Sequence, residues 1–423
     1  MITAGVLAGL LMLVGAAAVG MFWALPKVRG LLRDVREMRA AVEEMRSLVV
    51  HLGQTVRAPA LLPDPPSPFA AGDWEQIGGD GLGWQGDEFY KVRSTVCDGG
   101  QLYASLTGPR QDGPQGEVWC LSEGNWRCIG GNDDRAWPAS PAFVDQLAMH
   151  QGALYAGASH GLWRWKDGAW MLVEGSAGAD AGVYAFADGP EGLALSFWGR
   201  PGVALLRDGR MERLPDPEGG WGEQARTVYS LCYFRGQLYA ATGTGRLRGE
   251  GGMVFRYDGR TWERIGGCGI RGSWSVPAVP FVLSLRVFGN RLIATLSRPS
   301  DLPAAASNVW AFDGETWLPV GVGHTPALMA NSLIMNDAIV YHGRLVVATG
   351  DSSHRDARVW SLEASQRWQD ISGTALARPL DRYPGGTWIY CLATDGISLY
   401  AGTAGHQGAA RIFRFRPRVT EEL

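Results

Sequence analysis

No charge of either sign dominates this sequence. Of 423 residues, 39 are Lys or Arg and 42 are Asp or Glu, a formal net charge of −3, so nothing global points to nucleic acid or to an acidic substrate. Cysteine is sparse as well. The six cysteines (Cys97, Cys120, Cys128, Cys232, Cys268 and Cys391) never form a C-x-x-C pair; they read as small buried hydrophobes, not as a disulfide frame or a metal site. A phosphate-cradling G-x-x-x-x-G-K-[ST] string is also lacking, and the glycine-rich run from Gly243 to Gly252 falls between strands instead of opening a helix. No cofactor, no metal and no nucleic-acid partner are expected.

Glycine and tryptophan are plentiful. There are 59 Gly and 18 Trp, the glycine share being about twice its usual ~7%, which favours many short strands and turns over helices. With 46% hydrophobic residues the chain can bury a large core.

Residues 1–26 are apolar apart from Thr3 and long enough to cross a bilayer as a helix. A cleaved signal peptide is the alternative, with Ala16-Ala17-Ala18 as a cleavage site, but no basic stretch precedes the apolar run. Lys27, Arg29, Arg33, Arg36 and Arg39 follow it, and the positive-inside rule then leaves the remainder in the cytoplasm; a periplasmic or extracellular location is the alternative. Over 27–56, Val28, Leu31, Val35, Met38, Val42, Met45, Val49 and Leu52 recur at spacings of three and four. This heptad pattern, with Val at one core position and Leu or Met at the other, predicts a parallel two-stranded coiled coil and hence a homodimer through 28–52. Leu32 and Leu48 widen the stripe and keep a single amphipathic helix open. Residues 57–72 are proline-rich and predict an extended spacer.

From residue 73 to 418 the sequence repeats. The string V-F-R-Y-D-G-R-T-W-E-R-I-G-G (254–267) has relatives marked by Trp74, Trp126, Trp170, Trp262, Trp317 and Trp368, with Met211 in the remaining slot. The intervals of 52, 44, 41, 51, 55 and 51 residues, and about one more after Trp368, make seven units, each too small to bury its own faces. Every unit offers four strand-like runs in one order, the last two joined by a turn of Asp-Gly type. Such a turn is expected to be a two-residue hairpin, since Asp-Gly accepts the positive φ angles it needs. The expected fold is all-β: a seven-bladed β-propeller of four-stranded antiparallel blades, preceded by a transmembrane helix and a coiled-coil helix, with 419–423 a short tail. Because the array opens on a lone fourth strand near Trp74 and ends on a third strand near Phe415, these two are expected to pair and close the ring.

These residues resemble kelch-like seven-bladed propellers, and more closely the W-D-G-x-x-W-x-x-[LI]-G repeat proteins of bacterial and fungal surfaces. The resemblance implies the fold; the chemistry has to come from the loops. A kelch repeat carries its glycine pair after the second strand, whereas here it follows the fourth. The D-G-x-T-W strings at Asp258 and Asp313 are similar to a sialidase Asp-box, with the glycine one place early.

Tight turns are expected on one face and long loops on the other, and binding on a rigid scaffold resides in long loops. Trp84, Trp137, Trp221 and Trp274 precede inner strands, and Tyr383 holds a similar place. They form either an aromatic rim round a channel mouth or packing between blades. Arg135, Arg271, His354 and His406 complete the candidate binding set. The group Asp351, His354 and Asp356 has metal-ligand residue types without a recognised spacing. The sequence favours a membrane-anchored, non-enzymatic scaffold taking a protein or peptide partner on the long-loop face. The alternative is a propeller enzyme or lectin-like module acting on a carbohydrate.

Overall fold

A computed structural model describes residues 72–84, 89–108, 116–131, 137, 143–176, 182–222, 225–244, 251–274, 281–297, 308–321, 334–350, 357–373, 376, 387–405 and 410–417. The expected membrane span, coiled coil and proline-rich spacer lie outside them. Among the described residues no helix is long and apolar enough to cross a membrane.

Strand β1 (Gly72–Gly78) stands apart from its neighbours in sequence. The chain then makes strands in fours: β2 (Lys91–Asp98), β3 (Gln101–Thr107), β4 (Gly116–Ser122) and β5 (Asn125–Gly130); β6 (Val144–His150), β7 (Ala153–Ala158), β8 (Gly161–Lys166) and β9 (Ala169–Leu172). Next come β10 (Val183–Gly189), β11 (Gly192–Phe197), β12 (Val203–Arg207) and β13 (Arg210–Arg213), then β14 (Ala225–Phe234), β15 (Gln237–Thr244), β16 (Val254–Tyr257) and β17 (Trp262–Gly266). The remainder are β18 (Val282–Phe288), β19 (Arg291–Leu296), β20 (Val309–Phe312) and β21 (Trp317–Pro319); β22 (Ile334–Tyr341), β23 (Arg344–Gly350), β24 (Arg358–Leu362) and β25 (Trp368–Asp370); and β26 (Thr387–Thr394), β27 (Leu399–Gly405) and β28 (Ile412–Pro417). Each four from β6 to β25 is its own antiparallel sheet. The set β2 to β5 and the set β26, β27, β28, β1 are joined into one larger sheet by a single pairing, Lys91 with Ala404. Strand β1 lies antiparallel to β28, with Trp74 opposite Phe415, so the two ends of the repeat array share one sheet. This all-β arrangement of repeated four-stranded sheets fits a β-propeller.

Two belts hold sheet to sheet. In the inner belt, first strands pack in the order β2, β6, β10, β14, β18, β22, β26, and β26 lies against β2. Short polar side chains stitch them. The N–H of Leu147 donates to Ser94 Oγ (3.2 Å), that of Phe186 to Gln146 Oε1 (2.8 Å), and that of Leu285 to Ser230 Oγ (2.9 Å). Between the third and fourth of these sheets the stitch comes from a second strand: Ser196 Oγ of β11 donates to the Val228 carbonyl of β14 (2.8 Å). Asp337 accepts from Ser284 Oγ (3.0 Å) on one side and from the N–H of Leu392 (3.0 Å) on the other. Thr95 Oγ1 donates to Cys391 Sγ (3.7 Å) and completes the circuit. Backbone groups that a buried strand would otherwise leave unpaired are thereby satisfied between sheets.

The outer belt is made by the repeat's tryptophans. Five of these indole N–H groups reach back to the end of the preceding fourth strand: Trp126 to the Ile77 carbonyl (2.6 Å), Trp170 to Ile129 (2.8 Å), Trp262 to Pro215 (2.9 Å), Trp317 to Ile265 (2.9 Å) and Trp74 to Ile371 (2.6 Å). The glycine pair after the fourth strand has a steric reason. A Cβ on Gly130 would stand 2.6 Å from the Trp170 nitrogen and 3.0 Å from Trp137.

The turns differ from expectation at the motif that defines the repeat. Asp167-Gly168 and Asp208-Gly209 carry positive φ at both positions, as a two-residue hairpin requires. At Asp258-Gly259 and Asp313-Gly314 only the glycine does. There the hairpin closes on Tyr257 opposite Trp262, leaving a four-residue turn organised by the aspartate. Asp258 Oδ1 accepts the N–H groups of Arg260 and Thr261 (both 2.8 Å), and Asp313 does the same for Glu315 and Thr316 (2.9 and 2.8 Å). Those backbone hydrogen bonds hold both carboxyls below the ordinary aspartate range. Two cysteines follow expectation, Cys120 and Cys391 being buried, whereas Cys128 is exposed because its strand, β5, closes the outside of its sheet.

Candidate functional site

Every first strand carries an irregularity at the same place. The register with the second strand slips between Val92 and Ser94, Val144 and Gln146, Val183 and Phe186, Val228 and Ser230, Val282 and Ser284, Met335 and Asp337, and Ile389 and Cys391. A bulge of this kind inserts a residue that the partner strand does not match, and it re-aims that side chain. The inserted residues are Arg93, Asp145, Tyr184 with Ala185, Tyr229, Leu283, Asn336 and Tyr390. Their flanking neighbours Val92, Ser94, Val228, Ser230, Val282, Ser284, Ile389 and Cys391 are buried, while Arg93, Tyr184, Tyr229, Leu283, Asn336 and Tyr390 are half-buried.

All lie near the start of the first strand, on the side where the long connections arrive, and several meet. Arg93 pairs with Asp145 across β2 and β6. The Tyr184 and Tyr229 rings are 5.5 Å apart and edge-on, and Tyr229 is 5.2 Å from Phe281. Lys91 Nζ sits 3.5 Å from the Tyr390 ring centroid. Tyr184 on β10 and Tyr390 on β26 lie close enough to act on each other's ionisation. Those two strands are not neighbours, so the contact spans the centre of the ring of first strands and makes a polar plug. Trp198, 43% exposed, continues the cluster outward from Tyr184 at 5.4 Å.

Charge shapes the plug. Burial alone would raise the Tyr390 phenol, but the neighbouring positive charges of Lys91 and Arg93 outweigh it and hold Tyr390 below an ordinary tyrosine. Burial and the facing Tyr390 oxygen push Tyr184 up, so Tyr184 keeps its proton. Burial also drives the Lys91 ammonium down, with Tyr390 opposing. Apolar side chains of like size would fill such a centre at no loss of stability, because ionic groups taken out of water recover little net energy. Functional sites are among the places where perturbed groups gather, as structural ion-pair networks are.

The residues singled out from sequence divide in two. Trp84, Trp137, Trp221 and Trp274 are all buried, each against the fourth-strand tryptophan that follows it in the chain. The pairs are Trp84 with Trp126 (5.0 Å), Trp137 with Trp170 (4.6 Å), Trp221 with Trp262 (5.0 Å) and Trp274 with Trp317 (5.1 Å). Trp84 donates to the Ala410 carbonyl (2.9 Å), Trp274 to Gly252 (3.0 Å) and Trp221 to Asp216 Oδ1 (2.9 Å). Their rings pack between sheets, where the outer belt supplies an aromatic partner. Arg271 is exposed. Arg135, His354, His406 and Tyr383, and the Asp351, His354, Asp356 group, lie outside the described residues. Among those described, no group of three or more His, Cys, Asp or Glu side chains is arranged to hold a metal.

The plug was missed from sequence, although a signal exists. With the repeats aligned on their first strands, the same position reads V-R-S, V-D-Q, V-Y-A, V-Y-S, V-L-S, M-N-D and I-Y-C, an apolar residue, a variable one and a small or polar one. In all but V-Y-A the last of the triplet is the stitch of the inner belt, and the middle one is the bulge.

No protein family matches this sequence, and neither does any curated protein. Solved structures with some likeness include the WD40 β-propeller domain of Doa1, at 12% identity and TM-score 0.49, with 77% of this chain and 93% of that one covered. The Trypanosoma rangeli sialidase in complex with the inhibitor DANA has 11% identity and TM-score 0.42, covering 78% and 55%. The extracellular domain of the hybrid two-component system BT4673 of B. thetaiotaomicron has 12% identity and TM-score 0.36, covering 74% and 45%. The chain therefore spans about half the length of the last two. The fold assignment rests on the strand pairings above, not on these likenesses.

Proposed function

We propose that this chain is a non-enzymatic binding or scaffold protein, a kelch-like seven-bladed propeller that engages a protein or peptide partner at the centre of its long-loop face. The observation that carries the reading is the bulge repeated in every first strand, which turns Arg93, Tyr184, Tyr229 and Tyr390, of residue types favoured at binding hot spots, toward the centre of the ring. The cyclic packing of first strands and the circuit of stitches support the blade count. The apolar run 1–26 supports a single-pass anchor with a cytoplasmic propeller, and the heptads over 28–52 support a parallel homodimer. Within the propeller the buried tryptophans support the binding face from below and Arg271 is exposed, while Arg135, Tyr383, His354 and His406 belong to the proposed binding set on sequence grounds.

A pull-down from native lysate tests this. Trp198→Ala and Tyr229→Ala, one exposed and one half-buried, are expected to lose the partner, about tenfold or more for each hot-spot side chain. Asp208→Asn, in a tight turn on the other face, is expected to keep it. Undiminished capture by both aromatic variants contradicts the reading.

A further inference from the structure

Resting on that proposed function, we infer that the plug is a receptor for a carboxylate, the side chain of a Glu or Asp in the partner peptide, with Lys91 as the charged anchor and the Tyr184, Tyr229 and Tyr390 hydroxyls around it. Three observations point there. Charge is the first: Arg93 is matched by Asp145, while the Lys91 ammonium rests on an aromatic ring. With Tyr390 protonated, the described groups of the plug sum to +1 (Lys91 and Arg93 against Asp145). A half-buried cation attracts an anion far more strongly than a solvated one does.

Donor geometry is the second. Lys91 brings three N–H donors and the phenols bring rotatable O–H groups, all carried by different strands and converging near the centre of the ring. Hydrogen bonds from such donors to a carboxylate are of the charge-assisted, stronger kind. Shape is the third, and it separates a peptide from a sugar. Tyr184 and Tyr229 meet at 83° and Tyr229 and Phe281 at 73°. These edge-on pairs offer no broad flat platform for a pyranose face.

The site is coupled to protons. Tyr390 is faced by Lys91 and Arg93 from β2, Tyr184 from β10 and Tyr229 from β14, with Asp145 of β6 standing beside Lys91 and Arg93. Its phenolate would neutralise Lys91 and occupy the place of an incoming anion. A bound carboxylate therefore favours the protonated phenol and moves Tyr390 toward its ordinary value. By the same linkage, carboxylate affinity falls as pH rises through the titration of Tyr390.

The test is a pH titration of the full chain followed by phenolate absorbance, in glutarate and in chloride at matched ionic strength. In chloride one tyrosine is expected to ionise ahead of the rest, and glutarate is expected to move that step to higher pH. Lys91→Gln should abolish both the early step and the glutarate effect, and should weaken binding of an N-acetylated Glu-containing hexapeptide about tenfold. If Lys91→Gln does not fold, Tyr390→Phe serves: it should lack the early step, and its peptide affinity should no longer fall with pH in that range. An early step insensitive to glutarate overturns the proposal. A response to glucuronate with none to glutarate or the peptide overturns the peptide assignment in favour of an acidic sugar. Partner capture that depends on Trp198 and Tyr229 but not on Lys91 leaves the binding face standing and removes the carboxylate.

Discussion

Trp317→Ala is expected to destabilise the fold by about 3–5 kcal/mol, the cost of emptying a large buried aromatic site. Trp317 is 3% exposed. Its ring lies 5.1 Å from Trp274 and 5.0 Å from Phe312, and its N–H bonds the Ile265 carbonyl in the preceding sheet. One substitution thus removes a core side chain and an inter-sheet hydrogen bond together. Trp317→Phe separates the two: it keeps most of the packing and loses the bond, for about 1 kcal/mol plus a smaller cavity. Denaturant unfolding of both variants checks the split. A loss under about 1 kcal/mol for Trp317→Ala would show that the outer belt does not carry the sheet contacts.

Asp337→Ala is expected to cost about 2–4 kcal/mol, the larger part of it from groups left behind. The carboxylate accepts from Ser284, from Arg286 Nη2 at 3.1 Å and from the N–H of Leu392, so it ties three successive sheets through one side chain. Removing it strands a buried N–H and releases a guanidinium, whereas Asp337→Asn keeps one acceptor oxygen for Leu392 and should lose less. Because the circuit of stitches closes on itself, the loss should appear as a lower midpoint with an unchanged denaturant slope. A second, separate transition would mean that the sheets unfold independently.

The sequence made the outer half of each unit easy to read. Tryptophan at a fixed phase, the run V-F-R-Y and the glycines after W-E-R-I mark two strands and the seam between sheets, and the structure adds the reason: the indole needs a carbonyl of the previous sheet, and the glycine leaves room for it. The turn type was misread at Asp258-Gly259. The dipeptide is the same as at Asp208-Gly209, but Thr261 adds its N–H, and its Oγ1 at 3.3 Å, to a carboxylate-centred turn, and only the longer string D-G-x-T carries that information. The centre was harder still. A bulge shifts the alternation by one residue, so in V-R-S-T-V the charged residue reads as an ordinary outward position. Nothing local in a strand tells that Lys91 and Tyr390, 299 positions apart in the numbering, share one place; ring closure puts them there. The aromatic rim expected from Trp84, Trp137, Trp221 and Trp274 rested on residue type. Burial between sheets answers to the same residue type, and it was the neighbouring fourth-strand tryptophan in each unit that decided between them.

The repeat string 254–267 therefore builds the scaffold, while the first strands that follow such strings point the side chains. The proposed binding site then sits at the centre of the long-loop face. Site-specific photo-crosslinking in cells, with a benzophenone amino acid in place of Trp198 or, separately, of Asp208 in the tight turn between β12 and β13, asks where a partner sits. The account predicts a discrete crosslinked species from position 198 and none from 208; a partner captured from 208 and not from 198 would contradict it.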